Sequence, residues 1–361
     1  HFGNASSVYD TGRDARKALE EARRAVADSL HAKPSEIYFT AGGSESDNWA
    51  IKGAAYAHQG KGKHIITTQI EHHAVLHTCE YLEKQGFEVT YLPVDEYGLV
   101  TAAQVEKALR PDTILISIMA ANNEIGTVMP IAEIGRMARE RKVLFHTDAV
   151  QAIGAMEVDV EEWHVDMLSL SAHKFHGPKG VGALYIRNGV RLDNFVHGGA
   201  QERGRRAGTE NVAGIVGLGE AIRLATLNLP AHVKKVSALR DTLIKGILEH
   251  IPEVRLNGHP TKRLPGNVNV SIRYIEGEAM LLRLDMAGIA ASSGSACTSG
   301  SLDPSHVLLA IGLPHEIAHG SLRFSLSGDT TREEVDEVIR ILPGIIKTLR
   351  EMSPLYEMRN Q

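Results

Sequence analysis

The run SLSAHKFHGPKG, residues 169–180, is the stretch around which the rest of the chain is organised. It begins as the end of an apolar, strand-like segment and breaks into glycine and proline just after Lys174, which lies close to two histidines. A lysine at the end of a buried strand loses hydration, and its amine then becomes a nucleophile toward carbonyl groups. Because most lysines simply lie on the surface, this interpretation needs support from residues elsewhere in the chain.

The composition is that of an ordinary globular protein. The 361 residues are 43% hydrophobic and 5% aromatic, a length that allows two domains. The net charge of −5 offers no electrostatic case for binding nucleic acid or an acidic membrane surface. No apolar run reaches the roughly 18 residues that a membrane span needs. Two cysteines, Cys79 and Cys297, argue against a disulfide framework and predict a cytoplasmic location. The N-terminus shows no signal-peptide layout. The first residue is His1 rather than a methionine, so we expect the natural start to lie upstream.

Short apolar strands alternate with amphipathic helices through the first part of the chain. The pattern predicts a helix over 11–31, strands over 36–40, 64–68, 113–119 and 143–148, and a helix over 212–227. Such alternation predicts parallel βαβ units, and ligands bind at the carboxyl ends of the strands in such sheets. The polar residues that fall at those ends are Ser44, His72, Asn123, Asp148 and Lys174.

A Leu-Pro pair at 229–230 marks the predicted domain boundary. We predict a large domain over 11–229 and a small domain over 230–361 that also takes in residues 1–10. Within the small domain, the pattern predicts helices over 231–250, 278–286 and 331–349 and strands over 268–272 and 322–326. Between these elements, a loop of small residues carries Cys297, and we expect Cys79 to be a packing residue inside a helix.

Asp148 and Lys174 together point to pyridoxal 5'-phosphate (PLP). The aldehyde carbon of PLP needs a lysine amine, and its ring nitrogen needs a carboxylate to stay protonated. The turn at Gly43 and Ser44 starts a helix, whose N–H groups attract phosphate, and we expect Ser44 to cap it. Further phosphate donors are expected at Ser171 and His173, and His72 is expected to stack on the ring.

Seven motifs, in this order, resemble the cysteine desulfurases of the NifS/IscS type within the class V aminotransferase family. They are AGGSESDN (41–48), EHHAV (71–75), NNEIG (122–126), HTDAVQ (146–151), SAHK (171–174), RAGT (206–209) and SGSACTS (293–299). The resemblance runs from Asn4 to beyond Arg323. It implies the PLP-dependent transferase fold type I: an α/β large domain with a mostly parallel seven-stranded sheet flanked by helices, and a smaller α+β domain.

The resemblance also implies a role for each matching residue. Lys174 forms the covalent link to PLP, Asp148 pairs with the pyridinium nitrogen, and Gln151 contacts the phenolic oxygen. The implied phosphate site comprises Gly43, Ser44, Ser171 and His173, with Thr209 reaching it from the partner subunit of a homodimer. The remaining implied roles are ring stacking and acid–base catalysis for His72, cofactor and substrate contact for Asn123, and binding of the substrate α-carboxylate for Arg323.

Cys297 decides which reaction is expected. A serine- and glycine-rich loop offers a thiol both mobility and access, so we expect Cys297 to take sulfur from L-cysteine as a persulfide and release L-alanine. The expected partner is an iron–sulfur scaffold or another sulfur acceptor. We expect no resident metal, only transient contact of Cys297 with an iron–sulfur cluster. A selenocysteine lyase or another enzyme of this fold is the alternative, and a catalytically silent docking protein is a third interpretation.

Overall fold

The computed structural model describes residues 2–293, 304–354 and 356. The chain divides into two compact units. Unit 1 comprises His1–Leu92, Val100–Ala121 and Met129–Leu229, and unit 2 comprises Pro93–Leu99, Asn122–Val128 and Pro230–Gln361.

The N-terminal residues group differently from the sequence prediction, which assigned 1–10 to the small domain. They belong to unit 1, where Ala5 is buried and its carbonyl oxygen accepts a 2.9 Å hydrogen bond from Arg16 Nε. Unit 2 takes in 93–99 and 122–128, which lie outside the predicted small domain. We retain the two-domain division as a proposal with these changes.

Unit 1 is built on a mostly parallel sheet. Among the described residues, seven strands pair in the order β1-β7-β6-β5-β4-β2-β3. The strands are β1 (Ile37–Thr40), β2 (His64–Thr68), β3 (Glu88–Leu92), β4 (Thr113–Ser117), β5 (Leu144–Asp148), β6 (Met167–Ser171) and β7 (Gly182–Ile186). Only β7 runs against its neighbours in this described sheet, so β1 points the same way as β6 and the parallel strands. The predicted α/β class with a mostly parallel sheet is confirmed.

Helices cover the sheet of unit 1. They are α1 (Asp10–Ser29), α2 (Gly43–His58), α3 (His73–Glu83), α4 (Ala102–Lys107), α5 (Ile131–Glu140), the single turn α6 (Gln201–Gly204) and α7 (Val212–Leu227). All residues of β2, β4 and β6 are buried, as expected of strands covered on both faces. One hydrophobic cluster includes the fully buried Trp49, Ile65 and Leu115.

Unit 2 is an α+β arrangement. Its described strands β8 (Val254–Leu256), β9 (Asn267–Ile272) and β10 (Ser321–Ser325) form an antiparallel sheet in the order β10-β9-β8. The remaining helices are α8 (Leu229–His250), α9 (Gly277–Met286), α10 (His306–Ala310), α11 (His315–His319) and α12 (Arg332–Glu351). In the described part of the chain, no single helix is long and apolar enough to cross a membrane; the bent pair α7–α8 meets that limit only jointly, by length and composition.

Candidate functional site

Four polar segments of unit 1 follow the carboxyl ends of strands that point the same way. Gly42 and Gly43 follow β1, His72 follows β2, Asp148 ends β5, and Lys174 follows β6. The order of strands places β6, β5 and β4 side by side within the sheet. Carboxyl ends of parallel strands meet at one edge of a sheet, so the topology brings these segments to one edge of unit 1.

Asp148 is the most deeply buried of these charged groups. It is 6% exposed, and its Oδ1 accepts a 2.9 Å hydrogen bond from the backbone N–H of Val150. Burial raises the pKa of Asp148 to about 6, while the Val150 hydrogen bond and the positive charge of Lys174 oppose that rise. The carboxyl group is therefore mostly ionised at pH 7 and can hold a cation against the strand end.

Lys174 lies in a 3₁₀ turn, Ala172–Phe175, and not on the strand itself. The strand is buried as predicted, but it ends at Ser171, and Lys174 is exposed in this chain. The expectation that strand burial desolvates this lysine is therefore wrong. Its position relative to Asp148 rests instead on the turn, which ends at His176 in the left-handed conformation (φ 66°). Lys174 still acts electrostatically on Asp148.

The start of α2 is shaped by close backbone approach. Gly42 is its N-cap residue, with a φ of 151° that favours glycine, and no described side chain caps the helix. A Cβ added at Gly43 would lie 2.8 Å from Val150 Cγ2, so a side chain there would crowd the turn after Asp148. The prediction that Ser44 caps the helix is wrong, because Ser44 lies within the first turn and is exposed. An uncapped helix start beside small residues suits an anion.

Ser171 and His173 lie close to this helix start in different ways. Ser171 is buried at the end of β6, and its Oγ is 3.8 Å from the Cβ position at Gly42. His173 is exposed, and partial burial together with the charges of Lys174 and Lys179 lowers its pKa. Its imidazole is therefore neutral at pH 7 and can donate one N–H to an anion.

His72 is the N-cap residue of α3. Its Nδ1 accepts a 3.1 Å hydrogen bond from the backbone N–H of Ala74, so in the neutral ring the proton is on Nε2. The side chain is half-buried. The cap fixes the orientation of the imidazole and leaves Nε2 as its proton-bearing atom.

The glycine- and arginine-rich segment that carries Thr209 is anchored to unit 1 by two ion pairs. Arg206 makes two hydrogen bonds to Glu45 in the first turn of α2, at 2.7 and 2.9 Å. Glu202 makes two 2.8 Å bonds to Arg23, and both side chains are 4% exposed. Thr209 is exposed, whereas Gln151, in the turn after β5, is half-buried.

Unit 2 contains the two residues predicted to bind the substrate carboxylate. Arg323 lies in β10, and its Nη1 donates a 3.0 Å hydrogen bond to the carbonyl oxygen of Asn123. Its buried Nε has no hydrogen-bond partner among the described residues. The structure therefore brings this pair together, with Asn123 supplying its backbone and keeping its side-chain amide for other contacts.

Glu124 is a functional candidate that the sequence did not reveal. It is 6% exposed, and Ser305 Oγ donates a 2.6 Å hydrogen bond to its Oε2. Burial raises its pKa to about 7, and the hydrogen bond from Ser305 and the charge of Arg323 oppose this. The NNEIG motif contains Glu124, but only the fold shows that it is buried and near Arg323.

Asp47, Glu71 and His146 were also missed by the sequence analysis. All three lie within the motifs quoted above, yet each is at most 1% exposed. Burial raises the pKa of Glu71 to about 8, with hydrogen bonds from Thr68 and Met119 opposing this. Each of the three shares a motif with a predicted ligand residue, which is the signal that the sequence offers. The sequence does not show, however, that their side chains are buried.

The two cysteines differ. Cys79 is fully buried in α3, where burial raises the pKa of its thiol, so it is confirmed as a packing residue. Cys297 lies outside the described residues. No group of three His, Cys, Asp or Glu side chains in the described ranges is arranged to hold a metal ion.

Comparison with known proteins identifies the family. A profile of the class-V aminotransferases matches residues 1–338. Cysteine desulfurase IscS of Clostridium botulinum (strain Hall) is 60% identical, over 100% of this chain and 92% of that protein. The chain belongs to the cysteine desulfurases of the class-V aminotransferase family.

Solved structures agree with this family assignment. A NifS-like protein is 41% identical and superimposes with a TM-score of 0.90, covering 96% of this chain and 92% of that one. SspA in complex with cysteine is also 41% identical, with a TM-score of 0.81 over 91% of this chain and 92% of that one. As a cysteine desulfurase, the chain has the fold type I architecture that its motifs implied.

Proposed function

We propose that this cysteine desulfurase uses PLP to convert L-cysteine to L-alanine and carries the sulfur away as a persulfide on Cys297. The observation that carries the proposal is the pairing of Asp148 with Lys174. They lie at the carboxyl ends of the adjacent strands β5 and β6, and the charge of Lys174 acts on the Asp148 carboxylate.

The side chains at this edge of unit 1 fit PLP. Asp148 offers an anion for the pyridinium nitrogen, Lys174 an amine for the aldehyde carbon, and the start of α2 an anion site for the phosphate. Bound PLP supplies an electron sink that stabilises negative charge on the α-carbon of an amino acid. The close packing of Gly43 against Val150 keeps the helix start next to the turn that follows Asp148.

The other residues hold the cofactor and its protons. Ser44, Ser171 and the neutral imidazole of His173 donate hydrogen bonds to the phosphate, and Gln151 donates to the phenolic oxygen. His72 stacks on the ring and moves a proton at Nε2, the atom that carries the proton when Nδ1 accepts the helix-cap hydrogen bond. In a homodimer, Thr209 supplies one further donor to the partner subunit's phosphate, consistent with its exposure in the single chain.

Arg323 and Asn123 bind the α-carboxylate of L-cysteine. A guanidinium presents two parallel donors to a carboxylate, and the hydrogen bond to the Asn123 carbonyl oxygen fixes the plane of this one. Because burial raises the pKa of Glu124 to about 7, roughly half of this carboxyl group is neutral at pH 7 and does not compete for the positive charge of Arg323.

Cys297 then removes the sulfur. Its thiolate attacks the substrate sulfur, so that a sulfur–sulfur bond forms while the carbon–sulfur bond breaks. The electron pair of the broken bond stays with carbon, which takes up a proton to become the methyl group of L-alanine. The persulfide passes to an acceptor protein for iron–sulfur cluster assembly or thiolation, in the cytoplasm.

One incubation tests this function. Purified protein with PLP, L-cysteine and a thiol reductant is expected to release sulfide and alanine in equal amounts. Cys297→Ser should abolish both products, whereas Cys79→Ala, a change at the other cysteine, should not. Alanine formed by Cys297→Ser at the wild-type rate would contradict the persulfide step. Activity with L-selenocysteine but none with L-cysteine would identify a selenocysteine lyase instead.

A further inference from the structure

A row of buried polar side chains crosses the sheet of unit 1 next to Asp148. Ser117 Oγ on β4 lies 2.8 Å from His146 Nδ1 on β5, and His146 Nε2 lies 2.9 Å from Ser169 Oγ on β6. All three side chains are 0% exposed. Both ring nitrogens therefore have partners, and one must donate while the other accepts.

The row is in register with Asp148. His146 precedes Asp148 by two residues on β5, so both side chains point to the same face of the sheet. Ser169 is the residue that pairs with Asp148 across the β5–β6 ladder. The row therefore lies next to Asp148 in the strand ladder, on the same face of the sheet.

Asp47, on helix α2, lies next to the row of polar side chains. Its Oδ1 is 3.6 Å from His146 Nε2, and the nearby Ser169 hydroxyl acts to lower the pKa of its carboxyl group. Asp47 is 1% exposed, and its Oδ1 has no hydrogen-bond partner among the residues that the structure describes. A buried carboxylate with an unpaired oxygen is costly, whereas a protonated carboxyl group is tolerated.

The electrostatics of the surrounding groups favour a neutral row. Burial lowers the pKa of His146 to about 3, so its ring carries no charge at pH 7. Burial holds the pKa of Asp47 well above its ordinary value, and the charges of Asp148 and Glu71 add to this. The positive charge of Lys174 acts on Asp148, so Asp148 is the member of the Asp47–Asp148 pair that ionises.

We propose that Asp47, as a neutral acid, and His146, as a neutral imidazole, are positioning residues that hold Asp148 in place and confine negative charge to it. The inference rests on the proposed function, in which Asp148 pairs with the pyridinium nitrogen. If the negative charge were shared between Asp47 and Asp148, the pyridinium nitrogen would be held less specifically at Asp148. With the row neutral, Asp148 is the one anion that faces the ring nitrogen, and its charge favours the protonated form of that nitrogen.

The chain offers a matched control for this proposal. His64 is likewise 0% exposed, and its two ring nitrogens lie 2.7 Å from Thr113 Oγ1 and 2.8 Å from Thr90 Oγ1. It begins β2, at the opposite end of the strand from the predicted site. His64→Phe therefore removes the same kind of buried hydrogen bonds without touching the row behind Asp148.

The first test measures PLP dissociation constants of the 361-residue protein from pH 6 to pH 9. His146→Phe and Asp47→Ala should weaken PLP binding about tenfold or more at pH 7, since small misplacements at a site cost that much. His64→Phe should bind PLP as the wild type does, and Asp47→Asn should rescue most of the loss in Asp47→Ala. Equal losses for Asp47→Asn and Asp47→Ala, or for His146→Phe and His64→Phe, would overturn the proposal.

The second test needs no cofactor and separates this inference from the proposed function. In the PLP-free protein, the nitrogen signals of His146 in the NMR spectrum should not titrate between pH 5 and pH 8. They are assigned by their loss in His146→Gln. Titration of His146 near its ordinary pKa would overturn the neutral row. Failure of the wild type to bind PLP, with His146 still neutral, would overturn the proposed function instead.

Discussion

The two units hold their candidate residues by different physical means. In unit 1, Asp148 ends a buried strand and is backed by His146 and Ser169 in the strand ladder. In unit 2, Arg323 is oriented by a hydrogen bond to a backbone carbonyl oxygen, and a buried glutamate lies near its charge. The register of three neighbouring strands positions the residues in unit 1, whereas Arg323, although it lies on β10, is oriented by one side-chain hydrogen bond to a loop backbone.

Substitutions in the two units should therefore affect activity and stability differently. In unit 1, several paired strands fix the backbone around the candidate residues. A single substitution there therefore removes one chemical group but leaves the sheet intact. In unit 2, Arg323 is the proposed substrate contact and also donates a hydrogen bond to the local backbone. Changes in unit 1 should therefore separate activity from stability more cleanly than changes in unit 2.

Lys174→Ala should have the largest effect. It removes the amine that we propose links the cofactor to the protein, and it should lower desulfurase activity by about 10⁴-fold or more. Because Lys174 is exposed in a turn, the free energy of unfolding should change little. Steady-state assays and urea unfolding measure the two quantities. Lys179→Ala, an exposed lysine in the same segment, is the control. Wild-type activity in Lys174→Ala would contradict the assignment.

Glu124→Gln should change how stability depends on pH. The folded pKa of Glu124, about 7, lies above its ordinary value of 4.5, so the folded state holds the proton more tightly than the unfolded chain. Stability should therefore fall as the pH rises from about 4.5 to 7, by up to roughly 3 kcal/mol. Glu124→Gln should flatten this slope in urea unfolding at pH 5 and pH 8.

The control for that slope is Glu249→Gln, which changes a glutamate whose side chain is 56% exposed. It should leave the pH dependence as it is in the wild type. A slope that Glu124→Gln leaves unchanged would show that Glu124 is not the titrating group, and that unit 2 does not bury a neutral acid near Arg323.

Arg323→Lys should weaken substrate binding. A lysine keeps the positive charge but cannot offer two parallel donors while bonding to the Asn123 carbonyl oxygen. The KM for L-cysteine should rise about 30-fold, which corresponds to about 2 kcal/mol, with a smaller change in kcat. Arg255→Lys, at a half-buried arginine of β8, is the control. An unchanged KM in Arg323→Lys would contradict the proposal that Arg323 binds the substrate carboxylate.

Cys79→Ala should have the smallest effect. Removing a fully buried thiol leaves a small cavity and should lower the free energy of unfolding by about 1 kcal/mol. Activity should stay at the wild-type level, because the pKa of this buried thiol is raised and it is not reactive. A loss of persulfide formation in Cys79→Ala would show that the buried cysteine takes part in sulfur transfer.

Elements with strong periodicity could be predicted from the sequence. The strand over 64–68 and the helix over 212–227 have the bounds that the pattern predicts, because each combines an apolar run or stripe with clear end signals. The strands β3, β7 and β8 were not predicted. β3 carries polar residues and is partly exposed, β7 begins at a glycine, and β8 has three residues, so their patterns are weak.

Most candidate site residues could be named from the sequence, but their burial, neighbours and hydrogen bonds could not. Asp148 could be named because it ends a strand, yet the row behind it depends on the register between β4, β5 and β6, which one sequence does not show. Lys174 could be named too, but the pattern predicts that the strand continues to the lysine, whereas two residues separate it from the end of β6. Resemblance supplied Arg323, since no local pattern distinguishes it from other arginines.

The most direct test of the central claim is to locate the transferred sulfur. PLP-loaded protein is treated with L-cysteine without reductant, alkylated, digested and analysed by mass spectrometry. One added sulfur atom is expected on the peptide that contains Cys297, none on the Cys79 peptide, and none on either peptide in Lys174→Ala. An unmodified Cys297 in protein that forms alanine at its full rate would contradict the account.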